Sequence, residues 1–181
     1  MSTQDPTSFL EDGEARLAAG DVDGALAAFR QAVVVASSSA MAHSKLGIAY
    51  AHKKEWDAAA IEFARAPQLD PTYAPAYSNL GNIYRERGQL DQAIAHYQKA
   101  VSLDPDYPIA HQNLGIAYKE QGRVAEAVRE FKTASRLSLR QPGGRGGGAG
   151  QPKVSGAPRL GCLGMGGAVL LIGLALGALP R

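Results

Sequence analysis

Residues 77–84 read YSNLGNIY, and the phrase returns as HSKLGIAY at 43–50 and HQNLGIAY at 111–118. Each copy starts 34 residues after the last. A second set keeps the same step: Ala59 with Phe63, Ala93 with Tyr97, and Ala127 with Phe131. A fixed period of this size marks a stacked array, in which one unit cannot bury its apolar face alone and neighbours supply the rest of the core. The expected product is a concave binding surface rather than a catalytic pocket.

Within a unit the apolar positions recur at helical spacing, so Leu80, Tyr84, Ala93, Ile94, Tyr97 and Val101 are expected to face inward. Gly81 and Gly115 have no side chain to hold two helix backbones apart. Gly88 and Gly122 stand where the first helix of a unit should stop, the usual place for a left-handed cap. Asp70-Pro71 and Asp104-Pro105 separate units, since Pro cannot continue a helix. The fold class is therefore all-α, built from pairs of antiparallel helices.

The pattern resembles the tetratricopeptide repeat family: a large residue, Leu-Gly, Tyr, Ala, an aromatic, Ala and Pro. It falls on Tyr77, Leu80, Gly81, Tyr84, Ala93, Tyr97, Ala100 and Pro105. The preceding unit supplies His43, Leu46, Gly47, Tyr50, Ala59, Phe63, Ala66 and Pro71, and the following one His111, Leu114, Gly115, Tyr118, Ala127, Phe131 and Ala134. A weaker first unit keeps Phe9, Gly13, Gly20, Ala25, Phe29 and Ala32 in phase. The resemblance implies a right-handed solenoid of four repeats, 6–39, 40–73, 74–107 and 108–141.

Some positions depart from the pattern. Asp12 and Arg16 replace Leu and Tyr in the first unit, so its first helix is expected to pack poorly and fray. Lys54 stands in for the turn Gly, and Pro67 is expected to shorten or kink its helix. The last helix, polar through Glu126, Arg129, Glu130, Lys132 and Arg136, is expected to serve as its own cap.

From Gln141 the composition changes. Residues 142–159 are Gly/Pro-rich and read as a flexible linker. Residues 160–179, LGCLGMGGAVLLIGLALGAL, carry no charge, and a helix of that length spans about 30 Å, the hydrocarbon thickness of a bilayer. They read as a C-terminal transmembrane helix, a tail anchor. The other reading is a buried or aggregation-prone apolar tail, since six glycines weaken helix propensity. Gly173 and Gly177 form GxxxG, which allows a homodimer of membrane helices, although such spacing arises easily in a Gly-rich segment.

Residues 1–141 carry 15 Lys+Arg and 17 Asp+Glu, a net of −2, while 142–181 carry four Lys/Arg and no acid. Positive flanks at Lys153 and Arg159 favour the cytoplasmic side, and MSTQDPTSFLEDGE lacks the basic start and apolar core of a signal peptide. The repeats are expected in the cytoplasm. The near-neutral repeat region gives no nucleic-acid footprint, and the lone RGG at Arg145 reads better as a basic linker than as an RNA-binding segment. Cys162, the only cysteine, excludes an internal disulfide; it is either a palmitoylation site or a small apolar residue.

No catalytic or metal constellation stands out, and no cofactor is expected. His43 and His111 occupy packing positions, His52 and His96 form no ligand spacing, and GGRGGG leads to no Lys-bearing helix. In the family the first helix of each unit lines the groove. The resemblance thus implies a partner-binding surface of Lys45, Ser78, Asn79, Asn82, Arg85, Gln112, Asn113 and Lys119, with Glu86 and Glu120 beside them. Asn79 and Asn113, one repeat apart, offer a ladder of amides for the backbone of an extended peptide, similar to the asparagines of O-linked N-acetylglucosamine transferases; the alternative is that they only solvate a helix face. The carboxylate clamp known in the family lacks its cations in either register. The expected function is a membrane-tethered, non-enzymatic adaptor for a protein or extended peptide. The alternative is a soluble subunit of a larger complex whose apolar tail inserts into a partner.

Overall fold

The computed structural model describes residues 5–140, and all regular structure there is helical. Eight helices follow one another: α1 Pro6–Ala18, α2 Val22–Val35, α3 Ala40–His52, α4 Trp56–Leu69, α5 Ala74–Glu86, α6 Leu90–Leu103, α7 Pro108–Glu120 and α8 Val124–Arg140. Each odd helix packs on the even helix that follows, and each pair packs on the next. Apolar clusters fill the junctions. One joins Ile94 and Tyr97 to Leu114, Ala117 and Tyr118 across the third and fourth pairs. Others join Phe63 to Ile83 one junction earlier and Phe29 to Leu46 two junctions earlier.

The direction of curvature follows from which helices meet. α1 approaches α3, α3 approaches α5, and α5 approaches α7, while the even helices make no such approach to one another. The odd helices therefore form the inner row and the even helices splay outside it.

Turn chemistry sets the length of each pair. Gly20, Gly88 and Gly122 close the turn at φ of 83°, 72° and 78°, and Lys54 takes the same left-handed conformation at 62°. An L side chain is disfavoured there, so the second turn is the strained one. The glycines inside the odd helices do a different job from the expected one. They admit a ring rather than a backbone. A Cβ at Gly81 would lie 2.5 Å from Tyr97 Cε1, and one at Gly47 2.6 Å from Phe63 Cδ1.

Three further expectations are corrected. Pro67 leaves α4 as long as α2 and α6, 14 residues each; it lies in the last turn, with only Gln68 and Leu69 of the helix after it. The first helix forms over its full length; Arg16 bonds both Asp12 and Asp21, at 2.8 and 3.1 Å, so charge pairing stands where Leu and Tyr pack in later units. Its only buried residue is Gly13. The last helix does not cap itself: Val124 is 63%, Val128 43% and Leu139 80% exposed. The linker 142–159, the segment 160–179, its GxxxG and Cys162 lie outside the described residues. Among the described residues no helix is long and apolar enough to cross a membrane.

Candidate functional site

The inner row is the candidate binding surface, and its floor is built from residues one repeat apart. The Asn79 amide on α5 donates to the Ser44 hydroxyl on α3 at 2.8 Å, and Asn113 on α7 donates to Ser78 on α5 at 3.2 Å. All four side chains are buried. The matching position one unit earlier is Lys45, whose Nζ reaches Glu14 on α1 at 2.6 Å while its side chain is only 10% exposed. A polar bond from the same position of each unit thus crosses every junction of the inner row.

Half of the expected contact residues are therefore committed to the protein itself. Lys45, Ser78, Asn79 and Asn113 lie within helix–helix contacts rather than on an open face. Their amides and hydroxyls are hydrogen-bonded because an unpaired polar group there would carry its full desolvation cost. Asn82 is half-buried, and its Oδ1 accepts from the Tyr97 hydroxyl at 2.7 Å, which ties the groove wall to the core. Burial pushes the Tyr97 phenol well above its ordinary range, so it acts as a donor here.

What remains presented is a shorter set. Gln112 and Lys119 are exposed and Arg85 is half-buried, with Glu86 and Glu120 exposed next to them. Arg85 lies 3.4 Å from Glu86. Gln112 takes the place that Ser44 and Ser78 hold in earlier units, and no further unit follows within the described residues to bond it. The presented chemistry is mixed in sign, so the surface is polar rather than uniformly cationic.

Sequence reasoning missed the anchors that fix α3 and α7 against their partners. His43 and His111 do more than pack. The Nδ1 of each lies 2.7 Å from a carboxylate, Glu62 and Glu130, on the following helix. The Nε2 of each meets a main-chain carbonyl of the preceding turn, Ser37 at 3.1 Å and Pro105 at 3.0 Å. The signal was available: Glu62 and Glu130 are 68 apart in sequence, two periods, as are His43 and His111. Tyr73 was likewise missed. Burial raises its phenol, and a bond with Ser44 works against that shift, so it joins the same floor. Among the described residues no group of His, Cys, Asp and Glu is arranged to hold a metal.

Comparison with known proteins follows the same lines. Family models described as tetratricopeptide repeat match residues 10–74, 64–95 and 109–140, and one described as TPR repeat matches 81–122. A crystal structure of MamA is 32% identical over 77% of this chain and 82% of that one, with a TM-score of 0.61. MamA from Desulfovibrio magneticus RS-1 is 28% identical over 76% of this chain and 78% of that one, with a TM-score of 0.60. PilF of Pseudomonas aeruginosa is 25% identical over 76% of this chain and 63% of that one, with a TM-score of 0.67. No curated protein matches the sequence.

Proposed function

The chain belongs to the tetratricopeptide repeat family, and from that premise we propose that it is a non-enzymatic interaction scaffold that takes a protein or extended peptide on its inner helical row. The observation that carries this reading is the division of labour along that row. Buried bonds from Asn79, Asn113 and Lys45 hold successive helices in register, while Arg85, Gln112 and Lys119 stay presented between them. A preorganised floor lowers the ordering cost of binding, which is where much of the affinity of such surfaces originates. The presented groups recognise polar main chain and alternating charge, a chemistry that suits an extended segment carrying both signs.

The scaffold is tethered to a membrane through residues 160–179, with the repeats in the cytoplasm. Twenty uncharged residues preceded by a basic, acid-free linker support this part of the reading. The test is co-sedimentation of the full chain with membranes after a carbonate wash, against the chain ended at Arg159. Retention of both, or of neither, contradicts the tether. Binding through the inner row is tested separately, by charge reversal at Arg85 and Lys119.

A further inference from the structure

The two ends of the array are chemically opposite. At the first end, Asp12 and Arg16 occupy the places that Leu46 and Tyr50 hold one unit later, so the outermost face is polar and paired. At the other end the outer face keeps the apolar design of an interior junction. Val128 matches Ile94 and Phe131 matches Tyr97, which α7 covers at 5% and 0% exposure. Nothing covers Val128 within the described residues. Val124, Val128, Phe131 and Leu139 run along α8 as one stripe, and the groove lined by Val128, Phe131 and Leu139 is edged by Lys132, Arg136 and Arg140.

Charge decides what fits this face. The two acids of α8 are turned away and engaged, Glu126 with Arg123 at 2.9 Å and Glu130 with His111 at 2.7 Å. Arg129, Lys132, Arg136 and Arg140 are exposed; Arg140 approaches Asp106 at 4.0 Å and Arg129 acts on Glu126, already paired with Arg123. The chain that follows adds Arg145, Lys153 and Arg159 without one acid before the uncharged segment 160–179. A second copy stacked head to tail would set Asp12 and Arg16 on the apolar stripe and leave them poorly solvated. The chain's own basic continuation is repelled by the rim. An apolar stripe flanked by cations, leading into a basic segment, has the design of a helix that lies in the headgroup layer of an anionic bilayer.

We infer that the outer face of α8 rests on an anionic lipid surface, with Val124, Val128 and Leu139 inserted among the acyl chains and Lys132, Arg136 and Arg140 on the headgroups. This deepens the tether reading, on which it rests for bringing the chain to a membrane. It also gives the tether a geometry: the paired, polar end at Asp12 and Arg16 points away from the bilayer and the inner row stands open beside it.

The test uses the full chain carrying Cys162→Ser and Val128→Cys, the new thiol labelled with an environment-sensitive dye, and a second chain labelled through Ala27→Cys on the exposed side of α2. Each is mixed with vesicles of phosphatidylcholine alone or of equal parts phosphatidylcholine and phosphatidylserine. Flotation on both vesicle types reads the tether, and the dye at position 128 reads the α8 face. Expected are flotation on both, a blue shift at 128 on the phosphatidylserine vesicles alone, and none at 27. Lys132→Glu with Arg136→Glu should abolish the shift and keep the flotation. Flotation without a shift overturns the α8 proposal and leaves the tether standing. A shift on anionic vesicles without flotation on neutral ones overturns the tether and leaves the face. A blue shift before any vesicle is added means that protein, not lipid, covers the stripe, and overturns the proposal.

Discussion

The Asn79 side chain donates to the Ser44 hydroxyl across 2.8 Å, and the two residues sit on neighbouring inner helices of successive repeats. This bond turns a residue that reads as a ligand contact into part of the frame. The same bond recurs from Asn113 to Ser78, and the matching position one unit earlier, Lys45, pairs instead with Glu14 on α1.

Asn79→Ala should therefore act on stability. It leaves the Ser44 hydroxyl without this donor in a site where that side chain is 1% exposed, a loss of about 1–3 kcal/mol. Gln112→Ala, at the exposed end of the same register, should stay within about 0.5 kcal/mol. Urea unfolding of the two variants checks the contrast. Equal midpoints would show that the bond contributes nothing.

Gly81→Ala should destabilise although Ala is the better helix former. The propensity gain is about 1 kcal/mol. The added methyl meets the ring of Tyr97, which is fully buried and cannot retreat, and overpacking of this kind costs about 1–3 kcal/mol. Gly115→Ala meets Phe131, which is half-buried at the open end and free to shift, so its cost should be smaller. Thermal melts in the opposite order would contradict the ring-admission account.

Lys54→Gly should stabilise. Lys54 holds φ at 62° where its counterparts are glycines, and left-handed backbone costs a side-chain-bearing residue about 1–2 kcal/mol. Gly regains part of that while losing more entropy on folding, leaving a gain of roughly 0.5–1 kcal/mol. Gly88→Ala, at φ 72° with nothing within 4 Å of the new methyl, should shift stability the other way by strain alone. A matched pair of denaturation curves decides it.

His111 and Glu130 should prove coupled. Their contact at 2.7 Å joins α7 to α8 with side chains 9% and 23% exposed. The double-mutant cycle of His111→Ala and Glu130→Ala should give an interaction of about 0.5–3 kcal/mol. Additive single variants would reduce the pair to a packing contact.

Much of the fold was legible because it is periodic. His43, Tyr77 and His111 fix the step, and Gly88 and Gly122 fix the turn, so local signals agree with the array. The site was less legible for a physical reason. Spacing says that Asn79 and Asn113 share the inner row, but not whether an amide points into the groove or toward the neighbouring helix. That is decided by Ser44 and Ser78, which lie 35 residues earlier and complete the bond. Pro67 misled for a similar reason, since its effect depends on distance from the helix end. The exposed stripe of α8 escaped notice because Val128 repeats the apolar position of Ile94, and only the absence of a following described helix leaves it uncovered, while Leu139 stands where earlier units have Pro71 and Pro105.

The central claim is that partners bind the inner row through its presented groups while the buried register only supports them. The most direct measurement is the affinity of a partner captured by residues 1–141, compared across three variants. Arg85→Glu with Lys119→Glu should weaken binding by tenfold or more with an unchanged melt. Asn79→Ala should lower the melt and leave affinity per folded molecule nearly unchanged, and Ala95→Glu on the outer helix α6 should change neither. Full affinity in the double charge reversal, with loss in Ala95→Glu, would place the binding surface on the outer helices and contradict the account.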